Sequence, residues 1–108
     1  MAHFLLQGAY TAEAWKTLVN NPVNRTEAIR PAVEKLSGRI ESTYFAFGEY
    51  DVLLILQMPD NVSAAAFALA VAEGGAFKAQ KMTPLMSMEE GLEALRKAGD
   101  TGYRPPGS

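Results

Sequence analysis

The sequence predicts an α+β fold: a ferredoxin-like βαββαβ sandwich with a four-stranded antiparallel sheet of order 4-1-3-2 and one extra helix at the C-terminal end. Three observations carry this. Tyr44-Phe45-Ala46-Phe47 and Tyr50-Asp51-Val52-Leu53-Leu54-Ile55-Leu56 read as two strands turning back at Gly48-Glu49. A strand-like segment precedes this hairpin and another follows it, each separated from it by helical sequence. Right-handed crossovers then leave one economical strand order, with the main helices on one face.

The first strand runs from Phe4 to Tyr10, with Phe4, Leu6 and Gly8 on one side and His3, Leu5, Gln7 and Ala9 on the other. Thr11 offers an N-cap for a helix through Asn20, whose apolar side is Trp15, Leu18 and Val19. Asn20-Asn21-Pro22 breaks it. A second helical segment spans about Thr26 to Leu36, with a stripe of Ile29, Val33 and Leu36. Pro31 lacks an N–H, so this helix either begins near Arg30 or kinks at Pro31. Gly38 suits the C′ position that closes it.

Arg39 to Phe47 and Tyr50 to Met58 are the hairpin strands, and Gly48 at the first central position suits a type II′ turn. Pro59 stops the third strand and Asp60 caps an alanine-rich helix over Asn61 to Glu73, ended by Gly74-Gly75. Its alanines let it lie close to a sheet. Phe77 to Leu85 is the fourth strand, and Pro84 marks an edge or a strand end. Ser87-Met88-Glu89-Glu90 is a capping box opening an amphipathic helix of Met88, Leu92 and Leu95, with Glu93 four residues before Lys97. Residues 1–99 thus form one domain, and Asp100 to Ser108, with two prolines and two glycines, reads as a flexible tail.

A two-residue turn sets Phe47 opposite Tyr50. Phe45, Phe47, Tyr50, Val52 and Leu54 then share the helix side, and Tyr44, Ala46, Asp51, Leu53 and Ile55 the open side. The open side carries too much apolar surface for water, and a second copy of the same sheet is the economical cover, giving a dimeric α/β barrel. Strand directions bring Gln7, Tyr10, Tyr44, Asp51 and Lys78 to one edge of the sheet as a candidate ligand-binding cluster. His3 lies at the opposite edge with Gln57.

Composition narrows the function classes. Of the 108 residues 48% are hydrophobic and 20% charged, as in an ordinary soluble globule. A net charge of −2 argues against broad nucleic-acid binding, which needs clustered Lys and Arg. Cysteine is absent, which removes thiolate chemistry and fits a cytoplasmic setting. Met1-Ala2-His3-Phe4 lacks the features of a signal peptide, and no apolar run reaches membrane-spanning length.

Gly48-Glu49-Tyr50-Asp51, followed by an apolar strand and Pro59-Asp60, resembles the signature of the GYD domain family. Tyr10-Thr11, Arg25 and Gly38 are similar to that family's pattern, and the resemblance covers Phe4 to Glu90. It implies a fold like that of dimeric α/β-barrel proteins and brings no settled activity or cofactor with it.

Asp51 suits a general base or a ligand contact, or it holds the hairpin through turn N–H groups. Tyr44 suits a pocket or a dimer contact. Lys78 suits neutralising Asp51. Arg25, unfavourable at a helix start, suits an inter-subunit ion pair or an anionic ligand. A lone His3 does not make a metal site, and Gly74-Gly75 lacks the Gly-Lys-Ser/Thr of a phosphate loop. Three readings follow: a homo-oligomeric small-molecule binder with a pocket on the sheet face, a cofactor-free monooxygenase or isomerase, and a purely structural assembly module. No metal, cofactor, nucleic-acid or membrane partner is expected.

Overall fold

A computed structural model describes residues 1–107. The elements are β1 (Ala2–Tyr10), α1 (Ala12–Asn20), α2 (Arg25–Lys35), β2 (Arg39–Phe45), β3 (Val52–Met58), α3 (Asn61–Gly74), β4 (Phe77–Leu85) and α4 (Met88–Gly99). All strand pairs are antiparallel and the order is β2-β3-β1-β4, the expected order read from the other edge. The architecture is the ferredoxin-like α+β sandwich.

The core forms where the even-numbered side of β1 meets the helices. Phe4, Leu6, Leu54, Leu56 and Met58 from the sheet pack with Val33 of α2 and with Ala64 and Phe67 of α3. The caps explain where the helices start. Thr11 accepts from the Ala14 amide at 3.0 Å and Asp60 from the Ser63 amide at 2.8 Å. Ser87 and Glu90 form the reciprocal capping box of α4. Each satisfies an amide that the first helical turn would otherwise leave unpaired.

Four local expectations are corrected. The hairpin is not a two-residue turn. Phe45 does pair with Val52, but the strands stop there and residues 46–51 form a longer loop closed by Ala46 N–H donating to the Asp51 carbonyl at 2.8 Å. Gly48 does not take the positive φ of a type II′ turn. Phe47 therefore leaves the sheet and is fully exposed. Helix α2 begins at Arg25, not near Arg30, and runs through Pro31. Pro31 is on its exposed side, so the missing N–H is lost outside the core. In α4, Glu93 pairs with Arg96 rather than Lys97.

The fourth correction concerns the end of α2. Ser37, not Gly38, takes the left-handed conformation, with φ 63°. The Gly38 amide donates to the Val33 carbonyl at 3.0 Å and the Ser37 amide to that of Glu34 at 2.9 Å, which is a Schellman motif. Gly38 is needed for a different reason: a Cβ there would lie 2.7 Å from the Gln57 carbonyl oxygen and overlap the Met58 sulfur. Ser37→Gly is therefore expected to stabilise the fold by about 0.5–1 kcal/mol, because it removes the left-handed penalty of an L-residue. Urea denaturation measures this. A loss of stability would show that the Ser37 side chain outweighs its backbone strain.

Helix α4 leaves the body. All of it except Gly91 is exposed, including Met88, Leu92 and Leu95. The radius of gyration is 17.4 Å, against roughly 13 Å for a compact domain of this length. Beyond α4, the described residues carry no helix or strand, and Tyr103 is exposed. Ser108, the last residue assigned to the tail, lies outside the described residues.

Candidate functional site

The two faces of the sheet carry different chemistry. On the helix side, α2 and α3 do not close over the sheet. A cleft of about 600 Å³ runs between them. Its floor is Leu6, Val52, Leu54 and Phe67, and its walls include Ile29 and Val71. Small residues create the space: Ala28 and Ala32 line it from α2, Ala70 and Gly74 from α3. The volume lies within the range of small-molecule sites, as does the apolar lining.

Aromatic rings form one end of this cleft. Tyr10 packs on Trp15 with ring centroids 5.1 Å apart and on Phe77 at 5.0 Å, and Trp15 reaches Phe45 at 6.4 Å. Tyr10 is only 5% exposed. The Phe77 ring occupies the space above Gly8, where any Cβ would overlap it. Burial pushes the Tyr10 phenol above its usual range, Arg25 pulls it down, and Asp51 pushes it up. The net shift is upward, so the phenol stays protonated at neutral pH and remains a hydrogen-bond donor.

The polar groups at the cleft divide into committed and free. Thr26 and Thr43 share a hydroxyl hydrogen bond of 2.8 Å that ties the first turn of α2 to β2. Asn24 caps α2 by accepting from the Thr26 amide at 3.0 Å. Arg25 is uncommitted. The ion pairs among the described residues join His3 to Glu41, Arg30 to Glu27 and Arg96 to Glu93, and Arg25 belongs to none. Among the described residues Arg25 is the one charged side chain lining the cleft.

The open side is organised in cross-strand rows. Tyr44, Leu53, Gln7 and Lys81 align in one row, and Ser42, Ile55, Leu5 and Thr83 in the next. His3 sits beside Gln57 at the far end, as the strand directions require. His3 Nε2 lies 3.8 Å from Glu41, which a bulge in β2 brings alongside. Gln7, Tyr50, Leu53 and Lys81 line a more open hollow of about 490 Å³ under the hairpin loop.

The residues grouped from the sequence are thus divided by the sheet. Tyr10 lines the cleft on the helix side, Tyr44 shares the open-side row with Gln7 and borders the cleft only from the edge strand, and Gln7 lines the hollow on the open side. Strand alternation separates Gln7 from Tyr10, so these two do not converge. Asp51 is a junction. Its carboxylate accepts from the Tyr10 amide at 2.9 Å, its own amide donates to the Gly8 carbonyl at 2.8 Å, and its carbonyl accepts from Ala46. The bonded amide belongs to β1, not to the turn. Lys78 falls at the irregularity where Tyr10 pairs with Phe77 and Ala9 with Ala79. It lines neither cavity and makes no ion pair with Asp51 among the described residues. Lys81 takes the position opposite Gln7. Sequence reading missed Lys81, although counting from the edge proline Pro84, opposite Phe4, would have placed it.

Among the described residues, one buried side-chain polar atom lacks a partner. Gln80 reaches under α3, where its amide nitrogen donates to the Ala68 carbonyl at 2.8 Å, and its Oε1 is left unbonded.

A protein-family model described as the GYD domain matches residues 4–95. No curated protein and no solved structure matches the chain.

Proposed function

The chain belongs to the GYD domain family, and we propose that it is a homo-oligomeric protein that binds an apolar small molecule in the cleft between its sheet and its helices. The carrying observation is the cleft itself: about 600 Å³ of space with an apolar floor and a rim bearing few uncommitted polar groups. A core side chain that merely filled space would leave no such volume, since protein interiors pack densely. Native mass spectrometry of freshly purified protein tests both parts together. The expected spectrum shows a dimer or a multiple of dimers with a retained small molecule. A bare monomer at micromolar concentration, with no binding of apolar probes, would sink the proposal.

Self-association is supported by the surfaces left uncovered. Leu5, Leu53 and Ile55 lie at the centre of the open sheet face, half-buried in the single chain. Met88 and Leu95 of α4 are 84% and 70% exposed. Apolar surface left uncovered in this way supports association with another protein surface. Ile55→Lys places a charge at the centre of the open face, and a buried unpaired charge is costly enough to break an interface. Sedimentation velocity is expected to show the variant as a monomer under conditions where the parent is a dimer. A variant that still dimerises would move the interface off this face.

A further inference from the structure

We infer that the ligand of the cleft is an apolar acid, with its carboxylate held by Arg25 and the Tyr10 hydroxyl at the rim. This rests on the cleft being the ligand site and adds the chemical class that the site selects.

The inference follows by elimination among the polar groups at the cleft. The Thr26 and Thr43 hydroxyls are bonded to each other, the Asn24 oxygen caps α2, and none of the three carries a charge. Arg25 carries a full positive charge with no carboxylate partner among the described residues, and no acidic residue lines the cleft to neutralise it. It stands at the first position of α2, where the helix repels a cation. An anion bound there would relieve that repulsion. Tyr10 adds an independent observation. It is 95% buried by its 5% exposure, it lines the same cleft, and no hydrogen bond to its hydroxyl is present among the described residues. Its hydroxyl is therefore free to donate to a molecule in the cleft. A guanidinium fork and a phenol O–H both donate and together suit a carboxylate, which only accepts. The remainder of the lining is mostly apolar, which suits a hydrocarbon or aromatic body for the rest of the ligand.

Two probes of equal shape separate charge from burial: 4-phenylbutanoate and 4-phenylbutan-1-ol. Trp15, the single tryptophan, packs on Tyr10 and reports occupancy by fluorescence. Calorimetry supplies the affinities. The acid is expected to bind about tenfold more tightly than the alcohol, in line with charge-assisted hydrogen bonding. Arg25→Gln should bring acid binding down to the level of the alcohol, and Arg25→Lys should keep part of the preference. Arg25 is exposed, so neither variant threatens the fold. If acid and alcohol bind equally, or if Arg25→Gln preserves the preference, the assignment of an acid is overturned and the cleft remains a ligand site. If neither probe binds, the cleft reading fails and the assignment with it.

Discussion

Phe67→Ala is expected to lower the unfolding free energy by about 3–5 kcal/mol, the largest effect of any single substitution considered. Phe67 is 2% exposed and is the residue through which α3 meets the sheet. The apolar sequence of α3 does not itself distinguish its faces. Val62 and Leu69 are exposed, and Ala64 and Phe67 alone are buried. Most of the anchoring of α3 therefore comes from one aromatic ring, with Val71 packed partly beside it. The cavity left by its removal would merge with the cleft that Phe67 floors. Part of the cost is then offset if water or a ligand fills the enlarged space, and an apolar ligand is expected to raise the variant's stability more than the parent's. Urea denaturation with and without 4-phenylbutanoate measures both effects. A loss below about 1 kcal/mol would show that α3 is held by contacts other than Phe67.

The strand order was legible because the sequence breaks at the right places. Pro22, Pro59 and Gly74-Gly75 punctuate segments whose apolar spacing differs, and caps at Thr11, Asp60 and Ser87 fix where helices begin. The hairpin end was less legible. Tyr44, Phe45 and Phe47 have high strand propensity, but propensity does not reveal that pairing stops at Phe45. The reason is tertiary: Asp51 donates its amide to Gly8 of β1, and this pulls the chain away from a tight turn. Ser37 took the left-handed position for a similar reason. Gly38 must lie against Met58 and Gln57, and that contact decides which residue bears the strain.

The candidate site was legible in part. Tyr10 and Arg25 stand out singly, one at the end of a strand and one at an unfavourable helix position, but nothing in their spacing of fifteen residues joins them. The alanines of α3 imply close packing against the sheet. Ala64 packs in that way, whereas Ala70, like Ala28 and Ala32 of α2, borders open space. The same residue type marks close approach or a cavity according to whether the two helices above the sheet converge, which is a property of their placement and not of either helix alone.

Asp51 joins the family signature to the cleft, and its two substitutions are expected to differ. β1 outlasts its neighbour: β3 begins at Val52, opposite Gly8, so Tyr10 extends beyond the ladder on that side. The Asp51 carboxylate supplies the acceptor that the missing strand would have given, at 2.9 Å from the Tyr10 amide. Asp51→Ala leaves that amide without an acceptor beside a buried ring, and should cost about 1–3 kcal/mol. Asp51→Asn keeps an oxygen acceptor in place and should cost less than about 1 kcal/mol. The same contrast should appear in binding. Tyr10 is positioned by this hydrogen bond, so Asp51→Ala is expected to weaken 4-phenylbutanoate binding, and Asp51→Asn to preserve it. Paired denaturation and calorimetry on the two variants decide the matter. A folded Asp51→Asn protein that no longer binds would mean that the carboxylate acts on the ligand itself, as a base or a direct contact, and that its bond to Tyr10 is incidental.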